Sequence, residues 1–312
     1  MRRPFPWSPA GTARAFTDSS MSDTHENASR PIIKWVGGKR KLLPELLDRI
    51  PNRTALEAGQ ARYIEPFIGG GALFFHLRSL FPRMPATIND FNPELANLYR
   101  VIEQFPDTLA LELSVGGYDA DPDTFRSIRA LDREDGWPAT CSDIKRAARF
   151  LYLNRTAFNG LWRVNAKGQF NVPYGHYKAV TLPGPDALRA YSVALNGAEI
   201  LHGDFEDAVT RSAKAGDLVY FDPPYAPVSE TSAFTSYTKG GFGDDMQHRL
   251  ASLLQRLSEQ GTHWMLSNSD TPFTRDVFGK CGTVHTVQMA RSINSKGDGR
   301  GKVNEILVVS DL

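Results

Sequence analysis

Leu218-Val219-Tyr220-Phe221-Asp222-Pro223-Pro224-Tyr225 is the stretch on which the reading of the chain hangs. Its first four residues, all apolar or aromatic, read as a short buried strand, and the two prolines after Asp222 forbid continuation as helix or central strand. Asp222 therefore stands at the C-terminal edge of a strand, where open α/β sheets hold their ligands. The corner is rich in acceptors, with a carboxylate and the carbonyls of Asp222 and Pro223; neither proline supplies an N–H, and Tyr225 adds a flat aromatic face. Such a set suits an amino group on a planar ring and suits an anion poorly. An ordinary strand-ending turn is the plainer reading of these residues alone, because Asp-Pro and Pro-Pro are common turn dipeptides.

Working upstream, Tyr63-Ile64-Glu65-Pro66-Phe67 reads as a strand and Ile68-Gly69-Gly70-Gly71 as a tight turn into a helix carrying Ala72, Leu73, Phe74, Phe75 and Leu77. Glycines there let a backbone approach a ligand, toward which the helix N-terminus directs free N–H groups; a simple strand-to-helix turn is the alternative. A dinucleotide fingerprint asks for Gly three residues after Gly71, where Phe74 stands, and this disfavours a nicotinamide dehydrogenase. Nineteen residues beyond Gly71, Asp90 ends the short strand Ala86-Thr87-Ile88-Asn89, a suitable place for taking both hydroxyls of a ribose. Asn92 then caps and Pro93 opens a helix striped by Leu95, Leu98, Tyr99 and Ile102. Gly37-Gly38-Lys39 is no phosphate loop, since the Walker pattern needs a Ser or Thr where Arg40 stands and a further Gly upstream.

From Asn92 to Pro183 the strand-helix alternation lapses into helical segments, among them Asp143 to Phe158. Trp162 to Tyr177 follows, rich in Gly, Asn and aromatics, with hairpin-like breaks at Asn165-Ala166-Lys167-Gly168. Between Ile144 and Pro185 lie seven basic residues and no acid. A solvated charged face accounts for such a run; the interleaved Phe150, Tyr152, Phe158, Trp162, Phe170, Tyr174 and Tyr177 favour a surface facing a polyanion. Alternation resumes with the strand Glu199 to Phe205, the strand before Asp222, a helix with Leu250, Leu253, Leu254 and Leu257, and the strand Trp264 to Asn268. Thr283 to Val287 and Glu305 to Val309 read as a closing antiparallel pair joined by the basic loop Arg291 to Gly297.

The expected architecture is an α/β, Rossmann-like sheet in residues 31–91 and 184–312, a mainly helical insert with a β-hairpin in 92–183, and a disordered tail in 1–30, where Met21 is a second candidate start. With 312 residues, 41% hydrophobic and 23% charged, a full core is within reach and disorder or fibre classes are excluded. No apolar run of about 18 residues exists, so no membrane span is expected. Two distant cysteines, Cys141 and Cys281, lack metal-ligand spacing and fit a reducing cytosol. Thr140 and Lys280 precede them where cytosine carbon-5 methylation places a proline before its cysteine, which disfavours that chemistry.

A phenylalanine-glycine turn after strand one, an acid after strand two and an acid-Pro-Pro-aromatic corner after strand four form a set. It resembles the S-adenosylmethionine-dependent amino methyltransferases, with F-x-G-x-G at Phe67, Gly69 and Gly71 and D-P-P-Y at Asp222 to Tyr225. The order of motifs is similar to the α group of DNA N6-adenine methyltransferases (D12 class). Lys34-Trp35-Val36-Gly37-Gly38-Lys39, Leu153-Asn154-Arg155, Asn159-Gly160-Leu161-Trp162-Arg163, Phe170-Asn171-Val172-Pro173-Tyr174-Gly175 and Phe221 to Pro227 narrow the likeness to the Dam type.

The resemblance implies a methyl transfer from S-adenosylmethionine to adenine N6 in duplex DNA, with GATC the expected site, no metal, a monomeric enzyme and a bacterial or phage-encoded, cytoplasmic setting. It assigns Trp35, Lys39, Phe67, Gly69, Gly71, Asp90, Asp204, Phe205 and Asp222 to the cofactor. Asp90 falls on the ribose, Lys39 and Trp35 near the methionine end, and Asp204 and Phe205 beside the adenine. Asp222, Pro223, Pro224 and Tyr225 fall to catalysis, and Lys34, Phe158, Asn159, Leu161, Arg163 and Pro173 to reading and wedging the duplex. Phe158 stands where the family often has tyrosine, and His176 where an arginine contacts phosphate. Other readings share the corner: an amino methyltransferase of cytosine N4, RNA or protein glutamine, or a catalytically silent DNA-binding regulator.

Overall fold

The computed structural model describes residues 29–225, 242–290 and 302–312. The expected tail (apart from Ser29 and Arg30), Ala226 and Pro227 after the corner, and the basic loop 291–297 lie outside the described residues. Helices α1 (Leu43–Asp48) and α2 (Arg53–Glu57) lead into β1 (Tyr63–Glu65), α3 (Ala72–Leu80), β2 (Ala86–Asp90) and α4 (Pro93–Gln104). Residues 92–183, the expected insert, open with α4 and continue as α5 (Pro106–Val115), α6 (Pro122–Ala130) and α7 (Asp143–Thr156). Then come α8 (Pro185–Leu195), β3 (Ala198–His202), α9 (Phe205–Ser212), β4 (Leu218–Phe221), α10 (Asp244–Glu259), β5 (His263–Ser269), α11 (Pro272–Phe278), β6 (Thr283–Ala290) and β7 (Lys302–Val309). No helix among the described residues is long and apolar enough to cross a membrane.

The strands form one sheet in the order β3-β2-β1-β4-β5-β7-β6, parallel throughout except for the antiparallel β7, which lies between β5 and β6. β4 is central, and all four of its residues are buried. Alternate residues serve opposite faces, as the two-residue period of a strand requires: Leu218 and Tyr220 join the apolar cluster on one side, Val219 and Phe221 the cluster on the other. Both faces being covered, the strand needs an unbroken apolar run. The expected strand at Glu199 to Phe205 ends earlier, at His202, because the Asp204 carboxylate accepts from Glu206 N at 2.9 Å and caps α9, which Phe205 begins. Asn92 caps α4 in the same way, through Glu94 N at 3.0 Å, with Pro93 in the first turn.

The insert is not a detached unit. Phe150, Leu151, Tyr152 and Leu153 of α7 share one continuous core with Tyr63 of β1 and Tyr220 of β4, and α4 packs along both α7 and α8. The segment before α1 is laced to the insert by polar bonds. Asn154 accepts from Lys34 N at 2.9 Å and donates to Lys34 O at 2.7 Å and Gly160 O at 3.1 Å, while Arg155 donates to Ile32 O at 2.6 Å. The expected hairpin exists as two isolated bridges, Ala157 with Tyr174 and Val164 with Phe170, rather than as regular strands.

At the centre of the insert Arg149, 2% exposed, meets Asp132, 5% exposed, at 2.7 Å. Asp132 also takes the Phe170 N–H at 2.7 Å and pairs with the more exposed Arg133, so it anchors the hairpin to α7. Removing one partner of a buried pair leaves the other charge uncompensated, typically at 3–5 kcal/mol. Because Arg133 remains, Arg149→Met should destabilise the protein by about 3 kcal/mol, at the low end of that range. The double change with Asp132→Asn should recover part of the loss. Urea unfolding checks both, and a loss under about 1 kcal/mol would mean that Arg133 alone neutralises Asp132.

Candidate active site

β4 and the Pro-Pro step carry Asp222 to the rim of the sheet, where its side chain is 19% exposed. Two groups converge on it, one of them backed by a third. Lys39 Nζ, on the short 3₁₀ turn Lys39–Lys41, reaches Asp222 Oδ1 at 2.8 Å and donates to Gly37 O at 2.6 Å. Ser267 of β5 donates to the same Oδ1 at 3.1 Å, and Tyr220 OH lies 3.0 Å from Ser267 Oγ. Burial raises the Asp222 pKa, Lys39 and the two hydrogen bonds oppose that shift, and Glu305 adds to it.

Tyr225 is held from both ends. Its hydroxyl donates to Glu305 Oε2 at 2.7 Å, and the Lys39 ammonium lies 4.4 Å from its ring centroid. The Pro224 carbonyl accepts from Gln247 Nε2 at 3.3 Å, and Gln247 Oε1 in turn accepts from Asn268 at 3.1 Å. Pro223 is buried and Pro224 exposed. The corner is thus braced from β5, β7 and α10.

The glycine turn packs against protein first. Gly69 and Gly71 have φ of 45° and 69°, the left-handed region that glycine tolerates. A Cβ on Gly69 would sit 2.6 Å from Trp35 Cδ1, and one on Gly71 2.9 Å from Phe75 Cε2. These glycines therefore admit Trp35 and Phe75. Asp90 clamps the turn, accepting from Gly69 N at 3.0 Å and Asn92 N at 2.9 Å, while Tyr99 OH donates to Gly69 O at 2.7 Å. Burial raises the Asp90 carboxyl to about 6 against the pull of those two N–H bonds. Phe67 stacks on Phe205 with centroids 5.2 Å apart, and Phe242 meets both rings at 5.6 and 5.8 Å. Asp204 is engaged by both terminal nitrogens of Arg249, at 2.7 and 2.9 Å; burial works to raise its pKa, and these bonds bring it below the ordinary value.

The residues assigned to the duplex gather at the end of α7. Phe158 is 51% exposed, and its N–H donates to Pro173 O at 2.9 Å. Asn159 beside it has φ 55°. Arg163 and Pro173 are exposed, and Arg163 Nε donates to Asn171 Oδ1 at 2.8 Å. Lys34 joins them through Asn154, its ammonium 4.9 Å from the Tyr177 centroid. Leu161 is half-buried against the core, less available than its neighbours.

Ser267, Glu305 and Asn154 drew no role from the sequence. Ser267 and Asn268 were the visible clue, polar residues directly after the apolar run Trp264-Met265-Leu266, and both are fully buried. Glu305 is an acid just before the apolar second half of β7, and Asn154 sits in the last turn of α7, in the Leu153-Asn154-Arg155 motif.

A family model described as D12 class N6 adenine-specific DNA methyltransferase matches residues 35–293. A type II methyltransferase of Lactococcus lactis subsp. cremoris, M1.LlaDCHI, is 43% identical over 90% of this chain and 95% of its own length. M.MjaIII of Methanocaldococcus jannaschii, also a type II methyltransferase, is 39% identical over 90% and 99%. The DNA adenine methylase of Escherichia coli is 34% identical over 90% and 95%. An acceptor-rich corner on an α/β sheet, a family match over most of the chain and likeness along nearly the full length of these enzymes agree, and the chain belongs to the D12 class N6 adenine-specific DNA methyltransferase family.

Proposed function

We propose that this enzyme transfers the methyl group of S-adenosylmethionine to N6 of an adenine flipped out of duplex DNA, within GATC, and that it acts as a monomer. The observation that carries the reading is the Asp222 corner: a carboxylate with one oxygen engaged by Lys39 and Ser267, next to an aromatic ring fixed by Glu305. The exposed Phe158, Arg163, Lys167 and Lys178, in the acid-free stretch from Ile144 to Pro185, support a duplex as the substrate and residues 92–183 as the part that reads it; Phe150, Tyr152, Phe170 and Arg149, expected on that surface, are buried in the core instead. Asp rather than Ser at position 222 favours adenine over cytosine N4.

The residues fit the donor. Each Asp90 oxygen takes one backbone N–H and keeps lone pairs for hydroxyls. Asn89 Oδ1 is a buried acceptor with no partner among the described residues, and Phe67, Phe205 and Phe242 form an aromatic cluster suited to a purine. When bound, S-adenosylmethionine supplies a methyl group on a sulfonium, electrophilic without a metal.

An adenine N6 is a poor nucleophile because its lone pair is delocalised into the ring, and in a duplex it is paired and out of reach. Flipping it costs a few kcal/mol, and Phe158 fills the vacated stack. Tyr225 stacks on the flipped base. Asp222 Oδ2 and the Pro223 carbonyl accept the two N–H bonds, which draws the nitrogen toward sp³ geometry and frees its lone pair; Asp222 orients and polarises, and the proton leaves after transfer. Holding amine and methyl together supplies much of the rate.

The deciding assay is transfer of labelled methyl from S-adenosylmethionine to duplexes carrying GATC, a scrambled site, or GATC with the adenine replaced. Label on the GATC adenine alone is expected; label on no duplex from folded protein that binds the donor would move the reading to RNA or another amine. Asp222→Ala should abolish transfer and leave duplex binding intact, and retained turnover would remove Asp222 from the chemistry. Arg163→Ala should relax discrimination at one guanine by about 1–3 kcal/mol, roughly 5- to 150-fold, and leave donor affinity unchanged. Unaltered site preference would contradict the assignment of the hairpin to recognition. Asp90→Ala should weaken donor binding by about 10- to 100-fold in calorimetry, as expected for the loss of a charged acceptor.

A further inference from the structure

Ser267 is fully buried on β5, one residue past the Leu266 that pairs with Phe221 of β4. That register brings its hydroxyl beside the residue after Phe221, which is Asp222. The direction of the two bonds at Ser267 Oγ follows from the chemistry of the groups. An ionised carboxylate has no hydrogen to give, so Ser267 donates to Asp222 Oδ1 at 3.1 Å, and its single hydrogen is then committed. Tyr220, 3.0 Å away, is therefore the donor to Ser267. Tyr220, Ser267 and Asp222 form a one-way relay that ends on Oδ1, where Lys39 also arrives. Among the described residues, Oδ2 has no hydrogen-bond partner.

Rotation of a carboxylate about its last torsion is soft and nearly two-fold. Lys39 alone, a point charge on a four-carbon stem, tolerates many rotations. A hydroxyl on a central strand, itself fixed by a buried tyrosine, does not. We propose that Ser267 is a positioning residue of the methyl-transfer reaction, which turns the Asp222 carboxylate so that Oδ1 is held and Oδ2 is presented to the target amine. The role rests on Asp222 being the acceptor of that amine.

A pH signature separates positioning from mere packing. Facing Asp222 are Lys39 from the N-terminal loop, Glu305 from β7, Tyr220 in its own strand, Tyr225 after the prolines, and Tyr63 and Glu65 from β1. Burial raises the Asp222 pKa, and the Ser267 bond is one of the forces opposing it. Loss of that bond lets the carboxyl titrate at higher pH. Since the acting form is the carboxylate, activity then fails earlier as pH falls.

The test uses full-length enzyme, a duplex with the cognate site, and pH profiles of kcat and KM beside thermal melting. Ser267→Ala should lower kcat about tenfold, the equivalent of one hydrogen bond, with KM for DNA unchanged and the acid limb of kcat moved to higher pH. Tyr220→Phe keeps the serine but removes the donor behind it, and should shift kcat and the acid limb the same way by less. It also carries the test if Ser267→Ala does not fold. Wild-type kcat and acid limb in both variants, or a lower melting temperature with the acid limb unmoved, would overturn the role. Wild-type enzyme that labels no adenine-containing duplex would instead overturn the reading of Asp222 on which it rests.

Discussion

A carboxylate kept largely out of water remains an anion only where donors surround it, and Asp222 draws its donors from distant parts of the chain. Lys39 comes from the loop before α1 and Ser267 from β5. The dependence runs both ways, because Lys39 is 6% exposed and an ammonium at that depth needs a counter-charge as much as the carboxylate does. The ion pair therefore orders the N-terminal loop as well as the corner, and through Tyr225 it orders the aromatic face too. Exposed pairs such as Arg126 with Asp123 have no such reach, since solvent screens them.

What could be read from the sequence was what local chemistry dictates. A central parallel strand must be apolar on both faces, so Leu218–Phe221 announced itself, and prolines fixed where it stopped. Asp90 and the glycine turn followed from spacing, and Asn92-Pro93 from capping. Strand ends were less legible: Phe205 looks the same as a strand residue and as the first residue of a capped helix, and only the Asp204 bond to Glu206 N decides. The hairpin was visible through its turn residues, but not that it would pair only at isolated bridges.

Long-range polar contacts were beyond the reach of local pattern. Ser267 and Asp222 are 45 residues apart, Tyr225 and Glu305 80, and Lys34 and Asn154 120. Each depends on the order of strands in the sheet or on how the insert folds back, information that no short window contains. The glycine turn was a partial success of another kind. A tight turn into a helix was anticipated, whereas the packing of Trp35 and Phe75 against its glycines needed the tertiary structure.

Asn154 couples two segments that are far apart in the sequence of this chain. One amide side chain, fully buried, grips the backbone of Lys34 on one side and the carbonyl of Gly160 on the other, and Gly160 has no room for a Cβ because Lys34 fills the space. The turn that bears Phe158 and the loop that leads to Lys39 are thereby parts of one mechanical piece. Residues 142–183 could not be exchanged without disturbing residues 31–39, because both ends of the Lys34 peptide backbone are held by Asn154 and the Lys34 side chain fills the space at Gly160.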